Sequence, residues 1–274
     1  GFIQISSPYP YRFVPENSSV SQGRAAADLL EKAILQEGPE TVAAFIAEPV
    51  QGAGGLIVPQ DDYFPRIREI CTKYDVLLMS DEVITGFGRT GRWFGLEHWK
   101  VEPDIISFAK GITSGYLPLG GIGLSDKVFQ VLTEAPPSRR WMHAFTYSGH
   151  PTCCAVALAN LEIVEREGLV EAAAKKGKRL IEGLRQLATL DVVGDVRGLG
   201  LMAGLEFVED KATKKAFPAD RKFGARVHQE CCKRGLFSRI RDDIYLVAPP
   251  FVTSDSDIDR IVNILGEAIP AAKG

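Results

Sequence analysis

The 274-residue sequence contains no Cys-x-x-Cys, no His-x-x-x-His and no Gly-x-x-x-x-Gly-Lys-[Ser/Thr]. The first absence removes a zinc ribbon or thioredoxin-type site, the second a common zinc pair, the third a P-loop. No apolar run approaches the roughly 18 residues a membrane span requires; the longest are stretches such as 76–79. Neither charge sign dominates: 32 basic against 35 acidic residues leave a net charge of −3. That balance gives no basic footprint for tracking a phosphate backbone, so nucleic acid and membrane are not expected partners. The five cysteines are odd in number and include two adjacent pairs, Cys153-Cys154 and Cys231-Cys232. They read as buried free thiols in a reducing compartment, with a cytoplasmic location expected. Residues 1–5 lack the basic-then-apolar pattern of a signal peptide. There is no initiator Met, so the chain is expected to be processed or part of something longer.

What is present is an ordinary globular composition, 45% hydrophobic and 24% charged, which excludes a disordered tail, a collagen or a coiled coil. Residues 1–20 form a Pro- and Ser-rich irregular lead-in. Beyond it, apolar spacing predicts helices over 25–36 and 61–74, the latter with Asp61 as cap. Short apolar runs at 41–47, 76–79, 104–108 and 121–124 read as buried strands, with a helix starting at Ser125. The alternation predicts an α/β fold with a mostly parallel sheet flanked by helices. From His150 the pattern changes to α+β. Helices are expected over 151–167, 170–188, 223–234 (stopping at Gly235) and 254–268, with strands at 192–196, 201–207 and 244–247. The expected division is a cofactor-binding large-domain portion over 1–150, then a linker helix and a smaller domain over 151–274.

Polar residues follow three strand ends: Glu48, Asp81 and Lys110. In open α/β sheets ligands bind off those carboxyl ends. Asp81-Glu82 alone allows several readings. It could hold magnesium on a nucleotide, pair with the ring nitrogen of a cofactor, or be a solvated strand end. The three glycines of the 81–91 stretch and Lys110, ahead of the small-residue run 111–115, favour the second. A partly desolvated lysine amine is easier to deprotonate and becomes a nucleophile for an aldehyde.

On these segments the sequence resembles the class III pyridoxal-phosphate aminotransferases, of fold type I. The matching stretches are Ala47-Glu48-Pro49-Val50-Gln51-Gly52, residues 81–91, Phe108-Ala109-Lys110-Gly111 with Leu117-Pro118-Leu119-Gly120-Gly121, residues 143–151, and Pro249-Pro250. They stand in family order across essentially the whole chain. The resemblance implies pyridoxal 5'-phosphate as cofactor and a homodimer with shared active sites. It implies that Lys110 bonds the cofactor and serves as acid and base, and that Asp81 pairs with its protonated pyridine nitrogen. Val83 would pack on the ring, and Thr146 would bind the phosphate across the dimer interface.

In ornithine- and GABA-type members a Glu masks an arginine ahead of the Pro-Pro pair. Here those positions are Ala53 and Leu246, which argues against those two substrates. Arg239 instead resembles the mobile, carboxylate-binding arginine of the amine:pyruvate and β-alanine:pyruvate branch. The phosphate loop and aromatic pocket residues usual ahead of these motifs are absent from residues 1–40, so the chain resembles the C-terminal portion of such an enzyme. The expected activity moves an amino group from an amine or ω-amino acid to an α-keto acid such as pyruvate. The alternatives are a decarboxylating or aminomutase member of the family, or a non-catalytic α/β nucleotide-binding module.

Overall fold

The computed structural model describes residues 1–16 and 19–273; two residues of the expected lead-in, 17 and 18, lie outside the described residues. The chain divides into two compact units. The first comprises Gly1–Pro49, Pro59–Phe87 and Arg92–Glu167, the second Val50–Val58, Gly88–Gly91 and Gly168–Gly274.

The first unit contains α1 (Gln22–Glu37), β1 (Ala44–Ala47), α2 (Tyr63–Lys73), β2 (Leu77–Asp81), β3 (Ile105–Phe108), β4 (Gly121–Leu124), α3 (Asp126–Thr133) and α4 (Pro151–Arg166). Helix α1 buries Ala26, Ala27, Leu30 and Ile34, and α2 buries Phe64, Ile67, Ile70 and Cys71. Both sets follow the three-and-four spacing of a single helix face. Arg66 of α2 ties the pair together, reaching Asp28 at 2.6 Å and Glu31 at 2.9 Å on α1. Asp61 is not the cap of α2: the N-cap position is Asp62, and its carboxylate makes no capping bond but accepts from Ser21.

The first sheet has strand order β1-β2-β3-β4. β1, β2 and β3 run parallel, and β4 is an antiparallel edge on β3. The apolar run at 41–47 is expected to be buried, but the strand it forms is half-covered. Burial alternates along β2, with Leu78 and Ser80 buried and Leu77, Met79 and Asp81 less so. Register places Ile46 beside Met79, Met79 beside Ile105 and Ile105 beside Leu124, so Ile122 shares that face. Ile46 and Ile122 are 48% and 49% exposed. A continuous apolar run predicts cover on both faces, whereas within the described residues this face stays open.

The second unit contains α5 (Leu169–Gln186), β5 (Val193–Gly198), β6 (Ala203–Phe207), α6 (Phe223–Lys233), β7 (Arg239–Arg241), β8 (Ile244–Val247) and α7 (Asp255–Ala271). Its sheet is antiparallel, in the order β5-β6-β8-β7. Leu180 and Leu184 of α5, Val227 of α6 and Ile258 and Leu265 of α7 close a core over Leu205, Phe207, Tyr245 and Val247. Helix α6 stops as expected before Gly235, whose φ is +84°. Ser254 caps α7, accepting from Asp257 N at 3.1 Å. The short edge strand β7 carries no apolar alternation and went unread in the sequence.

The observed division differs from one at residue 150. Helix α4 belongs to the first unit, because its buried Ala157 packs with Phe87 and Ile112. Residues 50–58 join the second unit through Arg197 of β5. Its guanidinium donates to Gly55 O at 2.7 and 2.9 Å and to Leu56 O at 3.1 Å, and it holds Asp195 and Glu206 at 2.7 and 3.0 Å. A linear reading has no signal for contacts across some 140 residues.

Within the second unit, Gly177 in the middle of α5 faces Gly200, where an added Cβ would lie 2.2 Å from backbone atoms. Gly→Ala in a helix interior ordinarily stabilises by about 1 kcal/mol. Here overpacking reverses the sign, and Gly177→Ala should destabilise by about 1–3 kcal/mol, read as a lowered urea midpoint with an unchanged slope.

Candidate functional site

The three parallel strands of the first sheet end at one edge, and the residues after those ends gather there. β2 finishes at Asp81, which register places beside Ser107 of β3. Three residues past Ser107 lies Lys110, so carboxylate and amine emerge from neighbouring strand ends. Glu48 follows the end of β1, in register at Ala47 with Ser80.

Asp81 Oδ1 accepts from Val83 N at 3.0 Å. That bond fixes the carboxylate against its own chain and leaves Oδ2 without a protein partner among the described residues. Lys110 is exposed, and among the described residues its Nζ has no hydrogen-bond or ion-pair partner. Its backbone is left-handed, with φ +40°, a conformation that costs a non-glycine residue of order 1 kcal/mol or more. Beneath it, Phe87 packs edge-on against Phe94 and Phe108 at centroid distances of 5.5 and 5.6 Å. Gly111 packs closely over the same place: an added Cβ would lie 3.1 Å from Gly86 O and 3.2 Å from Phe87 Cβ.

Glu82 points the other way. It is 1% exposed and accepts from Ser80 Oγ at 3.2 Å, Thr85 Oγ1 at 2.5 Å, Gly95 N at 2.8 Å and Leu96 N at 3.1 Å. All these acceptor positions are used internally, so Glu82 is a structural anchor and has none to offer a magnesium ion. Burial pushes its carboxyl above the ordinary 4.5, and the hydroxyl and amide donors pull partly back.

Asp81, Val83 and Lys110 thus share one sheet edge. Thr146 does not join them: the whole stretch 133–150 is almost entirely exposed, and no hydrogen bond connects Thr146 to those residues among the described ones. Its neighbours Met142 and Tyr147 are 86% and 80% exposed. Arg239 lies in the second unit at the start of β7, its side chain exposed. Sequence reasoning missed Asn160 of α4, which bonds the turn after Lys110, because a polar residue on a helix carries no signal of what it faces. It also missed Arg89. In the second unit Arg89 donates to Pro249 O at 2.7 Å and lies 4.8 Å over the Phe251 ring, and burial lowers its pKa.

A primary amine, a carboxylate with one open oxygen and a close-packed glycine turn suit a cofactor bearing an aldehyde and a basic ring nitrogen. The chain belongs to the aminotransferase class-III family, whose profile matches residues 2–269. This family depends on pyridoxal 5'-phosphate. The chain is 44% identical to a putrescine–pyruvate aminotransferase of Pseudomonas aeruginosa, over 96% of this chain and 57% of that protein. It is 40% identical to a probable mitochondrial gamma-aminobutyrate transaminase 3 of Oryza sativa subsp. indica, over 99% of this chain and 54% of that protein. Among solved structures, an (S)-enantioselective omega-transaminase from Thermomicrobium roseum superposes with a TM-score of 0.94 at 46% identity. That match covers 100% of this chain and 61% of the other. The chain therefore spans between half and two thirds of the length of these relatives. Among the described residues, no helix is long and apolar enough to cross a membrane.

Glu82→Gln presents an N–H₂ where donors already point, which should cost about 1–3 kcal/mol. A carboxyl raised in the fold holds its proton more tightly folded than unfolded. Its contribution is therefore complete below pH 4.5 and is lost as pH rises through the raised value. Denaturant titrations at several pH values should show the advantage of the native chain over Glu82→Gln largest near the acid end. An advantage that grows with pH would mean the four donors outweigh burial.

Proposed function

We propose that the protein is a pyridoxal-phosphate aminotransferase that transfers an amino group from an amine or ω-amino acid to an α-keto acid such as pyruvate. The observation that carries this reading is the pairing of the Asp81 and Lys110 strand ends on adjacent parallel strands. Bound pyridoxal phosphate supplies an electron-poor ring that accepts an electron pair when a proton leaves the neighbouring carbon of the substrate.

Lys110 would hold the cofactor through its amine and then carry that proton from one carbon to the next. Asp81 would keep the ring nitrogen protonated, its orientation fixed by the bond from Val83 N, while the Val83 side chain packs on the ring. Arg239 would bind the keto-acid carboxylate with its planar fork. Being exposed, it is free to turn away when the substrate is an amine without a carboxylate. Thr146 would receive the cofactor phosphate in a homodimer. The exposed aromatic residues around it, Trp141, Phe145 and Tyr147, supply apolar surface for a second copy. The first unit would be the cofactor-holding part and the second the small domain. The five free thiols suit the cytoplasm or another reducing compartment.

The relatives named as GABA transaminases lend no support to excluding that substrate on Ala53 and Leu246, and GABA falls within the ω-amino acids of this proposal. The putrescine–pyruvate relative favours pyruvate as acceptor.

Lys110→Ala should abolish turnover and the borohydride-stable pyridoxyl mass increment; surviving turnover would overturn the lysine assignment. Arg239→Ala should weaken keto-acid use by roughly tenfold to a hundredfold, the worth of a lost charge-assisted pair. Its effect on a carboxylate-free amine should be small. Steady-state kinetics with both substrates read this, and equal losses would remove Arg239 from the site.

A further inference from the structure

Resting on the reading of Lys110 as the cofactor lysine, we infer that Asn160 is a positioning residue that holds the Lys110 turn in its reactive conformation. The turn is a single 3-10 stretch, Lys110–Ile112, bounded by two left-handed non-glycine residues, Lys110 at φ +40° and Ser114 at φ +51°. Its own backbone bonds are long, with Thr113 N to Lys110 O at 3.2 Å and Ser114 N to Gly111 O at 3.3 Å. So short a helix leaves Gly111 O with one long backbone bond and, among the described residues, Ile112 O with no backbone donor. Asn160 of α4, 49 residues beyond Gly111, supplies the missing donors. Its Nδ2 donates to Gly111 O and Ile112 O, each at 3.0 Å, and its Oδ1 accepts from Ser114 Oγ at 2.7 Å.

The orientation of the amide follows from its partners, because two carbonyls can only accept. Three bonds from one side chain therefore span Gly111 to Ser114, the segment immediately after the lysine. Ala157 and Leu161, on either side of Asn160 along α4, pack into the Phe87 and Ile112 cluster beneath the same turn. The apolar contacts hold α4 in place and the amide fixes the turn. Strain at Lys110 persists because the surroundings over-determine it.

The test compares the native chain with Asn160→Asp and Asn160→Ala. Asp keeps the size of Asn but turns an acceptor toward two carbonyls. Two readouts are taken. The first is amide hydrogen exchange of residues 111–114 in the cofactor-free chain. The second is binding of two ligands: pyridoxal 5'-phosphate, whose aldehyde condenses with a lysine amine with loss of water, and pyridoxine 5'-phosphate, which has no aldehyde. Both variants should exchange faster at 111–114. They should form the reducible adduct roughly tenfold or more slowly, as the loss of two hydrogen bonds implies, while binding of pyridoxine 5'-phosphate changes little. Asp should be at least as impaired as Ala. Equal weakening of both ligands would make Asn160 merely structural, and a native-like Asp variant would remove its donor role; either result overturns the inference. A native chain that forms no adduct, with Asn160-dependent exchange intact, would instead defeat the reading of Lys110.

Discussion

The parallel pairing of β1, β2 and β3 is the constraint on which the site depends. Parallel strands in register end together, so whatever follows each strand is delivered to one edge. Ala47 lies beside Ser80 and Asp81 beside Ser107, and that alone brings a carboxylate and an amine from positions 29 apart in sequence to neighbouring strand ends. A slip of one residue would turn Asp81 to the opposite face, where Leu78 and Ser80 are buried. The alternating burial of β2 makes such a slip costly, because it would turn buried Leu78 outward and bring Asp81 onto the face where Ser80 is buried.

Around that edge, fixed geometry is bought with buried polar contacts. Glu82 spends both carboxylate oxygens on Ser80, Thr85, Gly95 and Leu96, so the chain leaving β2 is held on the far side from Asp81. A buried carboxylate is tolerable only when its oxygens are occupied in this way. Two adjacent acids thus take opposite roles: one is satisfied and inward, the other keeps an open oxygen at the edge. The turn after β3 is secured by Asn160, a side chain of α4 that completes what a three-residue helix cannot supply for itself.

The second unit follows a different plan. Its antiparallel sheet closes a core with α5, α6 and α7, and Arg197 draws residues 50–58 into the same body through carbonyl contacts at Gly55 and Leu56. Gly177 and Gly200 allow backbones to approach where any side chain would collide. The chain therefore leaves and re-enters each unit more than once, and the residues that bind the excursions are polar donors and glycines more than long apolar runs.

Much of the fold was legible because apolar periodicity reports directly on burial. The helices at Tyr63–Lys73 and Asp255–Ala271 and the strand at Gly121–Leu124 follow from spacing, and the Asp81 and Lys110 segments identify the family through short motifs whose residue types the chemistry requires. Periodicity is a local quantity, however, and says nothing about partners distant in sequence. Hence the half-exposed face of β1, the excursions of 50–58 and 88–91, the edge strand β7 and the inward turn of Glu82 were decided by tertiary structure alone. Sequence determined which groups the chain carries to its strand ends. Only the three-dimensional packing decided which of them face inward to hold the fold and which remain free to act, because a hydrogen-bonding side chain has the same local signature whether its partner is water, a cofactor or a carbonyl fifty residues away.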